Sequence, residues 1–160
     1  MKKLSIICLA LMALLSVSCN KTVVTNNVSS STVMVYSSDW YWDNNSSWRV
    51  DIDYNAINAN VDDYGAVLVY MDYAGTWRQI PLTQYYYDEQ NDVYCSKTYE
   101  VSSYYQGVSI FCIENDFYHG ACPGTIVFKI VVIPAAVYSS RSDVNYEDYN
   151  AVKTAFQLDD

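Results

Sequence analysis

Trp48-Arg49-Val50-Asp51-Ile52-Asp53-Tyr54 decides the fold class, because large apolar side chains at 48, 50, 52 and 54 alternate with charged ones at 49, 51 and 53. A period of two belongs to an extended strand, which turns successive side chains to opposite faces. One face of this strand is core and the other is water.

Working outward, the chain is a procession of short segments rich in Val, Ile, Tyr, Trp and Thr, separated by Asn, Asp, Ser and Gly. That is the pattern of antiparallel strands. Upstream, residues 32–36 predict a first strand that runs on through Trp40-Tyr41-Trp42 to a turn at 43–46. Downstream, 57–61 reads as a small crossing strand, and Gly65 to Met71 (GAVLVYM) is a continuous apolar run suited to a strand buried on both faces. Residues 72–76 turn the chain into 77–82, where Pro81 cannot donate to a ladder, so that strand lies at an edge or ends there. Residues 93–101 and 107–114 predict a hairpin around 102–106, and 125–133 is a further apolar strand closed by Pro134. About seven antiparallel strands at this spacing predict an all-β sandwich. The last segment differs: Asp143 or Asn145 caps a predicted helix over 146–156, with Tyr149, Val152 and Phe156 on one face, and so short a helix must dock on the sandwich.

A chain of 160 residues, 51% hydrophobic and 17% charged, is sized for one packed domain. Its first residues have another purpose. Met1-Lys2-Lys3 is a short basic region, residues 4–15 are apolar except for Ser5, and Ser16-Val17-Ser18 places small residues one and three positions before Cys19. The apolar run is too short for a bilayer span and matches a signal peptide. Ser16-Val17-Ser18-Cys19 resembles the lipobox of bacterial lipoproteins, with Ser16 where leucine is usual. The resemblance implies a signal peptide over 1–18, cleavage before Cys19, and a diacylglyceryl group on Cys19. The alternative is a secreted chain cut at the same bond, with Cys19 a free thiol. Residues 19–32, dominated by Asn, Ser, Thr and Val, read as a flexible tether, and 33–160 as the β-sandwich domain.

Loss of Lys2 and Lys3 takes the formal charge from −9 to −11. Nucleic acid is excluded as a partner on that balance, and a membrane is expected only through the lipid.

A second resemblance rests on the order GAVLVYM (65–71), Trp77 followed by Ile80-Pro81, FKIVVIPA (128–135) and NYEDYNAVKTAF (145–156). This order is similar to that of small immunoglobulin-like lipoproteins of unassigned function from Gram-negative gut anaerobes. The resemblance implies an immunoglobulin-like sandwich, and supplies no activity. Surface lipoproteins of such bacteria often carry acidic residues just after the lipidated cysteine. Here Asn20-Lys21-Thr22-Val23-Val24 follows, which favours the periplasmic face of the outer membrane over the cell surface.

Candidate chemistry is thin. His119 is the only histidine, so paired imidazoles and His-rich zinc sites cannot be assembled, and any imidazole general base has to be that one residue. Asp116, His119 and Cys122 offer three zinc ligand types in one loop, but a hairpin loop with one histidine is favoured, and no metal or cofactor is expected. Asp88, Glu89, Asn91 and Asp92 offer oxygens to calcium but lack the spacing of a calcium loop, so a solvated hairpin tip is favoured. Asp51 and Asp53, a carboxylate pair in type, are more simply the wet face of their strand. Cys95 and Cys112 fall opposite each other if the hairpin turns about Ser103 and Tyr104; a disulfide between them competes with buried free thiols.

Aromatic residues stand out, with 17 Tyr and 4 Trp, several in runs: Trp40-Tyr41-Trp42, Tyr85-Tyr86-Tyr87 and Tyr104-Tyr105. In a strand each run must put at least one ring outside the core. The candidate ligand-binding residues are therefore Trp40, Trp42, Tyr85, Tyr86, Tyr87, Tyr104 and Tyr105, the surface of a non-catalytic module that engages a glycan or an envelope protein. The bland alternative is tyrosine as a strand former that tolerates water. The other functional expectation is a structural envelope component or oligomer with no small-molecule ligand.

Overall fold

The computed structural model describes residues 27–43, 47–115 and 120–159. Among these residues nine strands form two antiparallel sheets. One sheet contains, in spatial order, β1 (Ser29–Val35), β9 (Ile126–Ile133), β4 (Ala66–Tyr73) and β5 (Thr76–Gln79). The other contains β2 (Tyr41–Asp43), β3 (Ser47–Asp53), β8 (Gly107–Glu114), β7 (Val93–Tyr104) and β6 (Leu82–Asp88). Three short helices complete the described fold: α1 (Ala59–Tyr64), α2 (Ala135–Ser140) and α3 (Tyr149–Phe156). The architecture is a β-sandwich with a C-terminal helix, as the strand patterning predicts.

The apolar runs explain how the layers stack. In β4 and β9 alternate residues serve two cores. Val69, Met71, Phe128, Ile130 and Val132 face the five-stranded sheet, where they meet Val50, Tyr99, Val108, Ile110 and Trp40. Leu68, Tyr70, Val131 and Ile133 face the other way, against Tyr149 and Val152 of α3. A strand covered on both sides cannot alternate polar with apolar, hence the unbroken GAVLVYM and IVFKIVVI. The exception is Lys129, buried under α3 with its Nζ 5.0 Å from the centre of the Trp77 ring and 4.7 Å from that of Tyr149. The rings' negative faces stand in for part of the water the ammonium has lost.

The structure differs from the sequence reading at several places. Strand β1 begins at Ser29, so four residues assigned to the tether pair with Lys129 to Val132. The ladder uses backbone groups, which Ser and Thr supply as well as Val does. Residues 57–61 do not form a crossing strand: the Asn58 side chain accepts hydrogen bonds from the backbone N–H of Asn60 and Val61 and starts α1. Ile57 and Val61 are both buried, four residues apart, a spacing that fits one helical turn. Helix α3 begins at Tyr149, not at 146, and its cap is Asp148, which accepts from the Asn150 N–H. The Tyr146 carbonyl is held outside the helix by the Tyr70 hydroxyl at 2.6 Å. Residues 77–82 are not one strand, because β5 ends at Gln79, the Ile80-Pro81 bond is cis, and the chain enters the other sheet at Leu82. The predicted signal peptide (1–18) and lipidation site (Cys19) lie outside the described residues. No helix among those described is long and apolar enough to cross a membrane.

Candidate functional site

The four-stranded sheet is covered on both faces, but among the described residues no element lies over the outer face of the five-stranded sheet. Strand alternation therefore turns every second residue of β6, β7, β8 and β3 toward this uncovered face, though in β8 Ser109 stays buried and Phe111 and Ile113 half-buried. At one end, Tyr87 pairs across strands with Tyr94, Tyr85 with Ser96, and Thr83 with Thr98. Tyr85 is 81% and Tyr94 83% exposed, while Tyr87 is less open because its ring lies 5.0 Å from that of Tyr94, tilted by 53°. The Tyr87 hydroxyl donates to the Asp92 carboxylate, which raises the phenol's pKa. Thr83 and Thr98 share a hydrogen bond of 3.0 Å between their hydroxyls.

The tip of this hairpin is internally satisfied. Asp88 accepts from the Asn91 side-chain amide and from the backbone N–H of Asn91 and Gln90, which together hold its carboxyl below the usual range. Its oxygens are committed to the turn, which argues against calcium there.

A second cluster occupies the same face near the β2 edge. Asp51 accepts from Tyr41 Oη at 2.7 Å, Arg49 Nε at 2.8 Å and Ser109 Oγ at 2.6 Å. Desolvation pushes the Asp51 carboxyl up, but the hydrogen bonds from Ser109, Tyr41 and Arg49 outweigh it and leave the group below the usual carboxylate range. The Arg49 guanidinium lies 6.0 Å from the centre of the Tyr41 ring and 5.4 Å from that of Phe111. Asp51 thus serves a polar network on the wet face, and Arg49 neutralises it.

The aromatic runs do not converge on one site. Trp40 is 5% exposed and packs edge-on against Phe128 in the core, so it cannot meet a ligand. The sequence grouped it with Trp42 as a candidate ligand contact on the continuation of the first strand, but that strand ends at Val35, a 3₁₀ turn over Ser37–Asp39 follows, and the Trp40 ring lies in the core. Trp42 is half-buried, edge-on to Trp48 at 5.5 Å. Tyr86 lies between Tyr85 and Tyr87 and faces inward. Its hydroxyl donates to Glu114 Oε2 at 2.6 Å, and burial, then that bond, raise its pKa far above the tyrosine range. Tyr105 is 57% exposed in the two-residue turn between β7 and β8, and the Tyr104 ring covers Gly107, where a Cβ would collide with it. Ten residues of β7 separate Tyr104 from Tyr94, about 33 Å of strand. Tyr85, Tyr87 and Tyr94 form the patch, and the sequence reading missed Tyr94. The signal lay in the hairpin register, which places Tyr94 opposite Tyr87.

On the inner face, Glu114 is buried, and its Oε1 meets the Lys97 ammonium at 3.0 Å, an ion pair not aligned as a hydrogen bond. Cys95 and Cys112 are free thiols and do not face each other. The hairpin turns about Tyr105-Gln106, with Gln106 at φ +66°, and this shifts the register so that Cys112 faces Tyr99 while Cys95 faces Tyr86. Burial pushes the Cys112 thiol up to about 11. Cys122 Sγ donates to the Ser37 carbonyl at 3.3 Å; Asp116 and His119 lie outside the described residues. Among those described, no three His, Cys, Asp or Glu side chains gather as a metal site.

Comparison of the chain with protein-family models, with curated proteins and with solved structures finds no match.

Proposed function

We propose that this protein is a non-catalytic binding module of the cell envelope that holds glycan chains on the tyrosine patch of its uncovered sheet face. The observation that carries the reading is the open trio Tyr85, Tyr87 and Tyr94 on a rigid two-stranded platform. Tyr85 and Tyr87 stand two residues apart on one strand, about 7 Å, and Tyr94 faces Tyr87 across the ladder. That is the scale of successive pyranose rings, whose axial C–H faces pack on aromatic rings while sugar hydroxyls bond to phenol tips and to Thr83, Ser96 and Thr98. Aromatic rings held by strands lose little conformational entropy on binding.

The address belongs to the same proposal: a lipid on Cys19 tethers an immunoglobulin-like domain to the outer membrane, on its periplasmic face. Support for that part comes from residues 1–24 of the sequence. The test is a glycan-array screen of the chain from residue 20 onward, repeated with Tyr85→Ala and Tyr94→Ala. Selective binding that falls at least tenfold in each variant is the expected result. Binding to no glycan, or binding unchanged in both variants, refutes the reading.

A further inference from the structure

Strand β6 is the outermost strand of the five-stranded sheet, paired on one side with β7 through seven consecutive residues without a bulge. Its other side presents a row of backbone N–H and C=O groups. Edge strands are usually protected against pairing by lysine, an internal proline, a bulge or brevity. Residues Leu82 to Tyr87 have none of these, and the strand's one charge, Asp88, sits at its end. The opposite edge of the same sheet is the three-residue β2.

We propose that β6 pairs antiparallel with β6 of a second copy, about a two-fold axis at Tyr85, joining the two sheets into one of ten strands. The strand is its own complement in this register. All seven residues are paired: Leu82 faces Asp88 of the copy, Thr83 faces Tyr87, Gln84 faces Tyr86, and Tyr85 faces itself. Charge selects this occupant and this direction. The tip acids Asp88, Glu89 and Asp92 of the two copies lie at opposite ends, with the Asp88 residues about 20 Å apart, well beyond the Debye length of about 8 Å at physiological salt. A parallel pairing would bring the tips together in a chain that is already strongly acidic. A two-fold axis normal to the sheet keeps outer face beside outer face, so Tyr85, Tyr87 and Tyr94 of both copies merge into one platform of six rings. The pairing stands whether or not that platform binds a glycan.

The test places single cysteines at 83, 85 and 87 in the full chain, purified in detergent, and runs each on a non-reducing gel after air oxidation. Facing Cα atoms of an antiparallel pair are about 4.5–5.5 Å apart, within disulfide reach, whereas positions 83 and 87 lie about 13 Å from their own copies. Tyr85→Cys is therefore expected to give a covalent dimer, and Thr83→Cys and Tyr87→Cys to stay at the level of the unmodified chain. Sedimentation of the unmodified chain is expected to show a species of twice the monomer mass beyond the detergent contribution. A chain that stays monomeric at about 100 µM overturns the proposal, as does cross-linking equal at all three positions. A dimer that does not cross-link through 85 uses another surface, such as the uncharged edge of β1, and overturns it as well. Tyr94→Ala, off the β6 edge, separates the two readings: glycan binding is lost and the dimer persists.

Discussion

Replacing Lys97 with methionine tests whether the buried carboxylate of Glu114 is held by its partners or merely tolerated. Glu114 is 3% exposed and has two neighbours of opposite polarity, the Tyr86 hydroxyl at 2.6 Å and the Lys97 ammonium at 3.0 Å. Methionine keeps the apolar stem of Lys97 beside the Tyr86 ring and removes only the charge. Breaking a fully buried pair costs about 3–5 kcal/mol, because the remaining charge is left uncompensated. The Lys97 side chain retains 21% of its exposure, so water enters the vacated space in part, and the Tyr86 bond survives. The expected loss is therefore about 2–3 kcal/mol at pH 7.

In urea, with a slope of about 2 kcal/mol per molar, this lowers the unfolding midpoint by roughly 1–1.5 M. Tryptophan fluorescence follows the transition. Adding Glu114→Gln to the variant removes the stranded charge while keeping an acceptor for Tyr86, and is expected to restore at least half of the loss. A Lys97→Met loss below about 0.5 kcal/mol, or a double variant no more stable than the single one, refutes the reasoning.

Other expectations separate core from surface. Trp40→Ala is expected to cost about 3–5 kcal/mol, whereas Tyr94→Ala stays within about 0.5 kcal/mol of the parent; equal costs in chemical denaturation would contradict the assignment of one ring to the core and the other to a ligand face. Cys112 is expected to resist a thiol reagent at pH 8 until the protein unfolds, because it is buried and its thiol ionises only near 11; labelling in the native state, or a Cys95–Cys112 disulfide in peptide mapping, would refute the observed register. The Asp51 carboxyl lies below its ordinary range in the folded protein, so its contribution is complete above the unfolded value near 4 and is lost as the pH falls through the folded one. The destabilisation caused by Asp51→Asn is thus expected to vanish as the pH falls from 7 toward 2, and one that grew on acidification would overturn the sign.

By itself the sequence determined what local chemistry determines. The alternation at 48–54 turned Trp48, Val50 and Ile52 inward and Arg49 and Asp51 outward because a strand's side chains have a period of two whatever it packs against. The unbroken run of β4 announced a strand covered on both sides, that of β9 only an apolar strand, and Tyr149 and Val152 announced the helix face that does part of the covering. The placement of the site was not legible in this way. Which tyrosines reach solvent depends on hairpin register and on which sheet face the helices leave bare. A turn centred two positions later in the chain shifts every cross-strand partner by four and so separated Cys95 from Cys112, and packing against Phe128 in the core buried Trp40. Tyr94 joined Tyr85 and Tyr87 only because β6 and β7 pair over seven residues. Local pattern fixes the direction of a side chain relative to its own strand, whereas its neighbours across the sheet are set by long-range pairing, which only the tertiary structure decided.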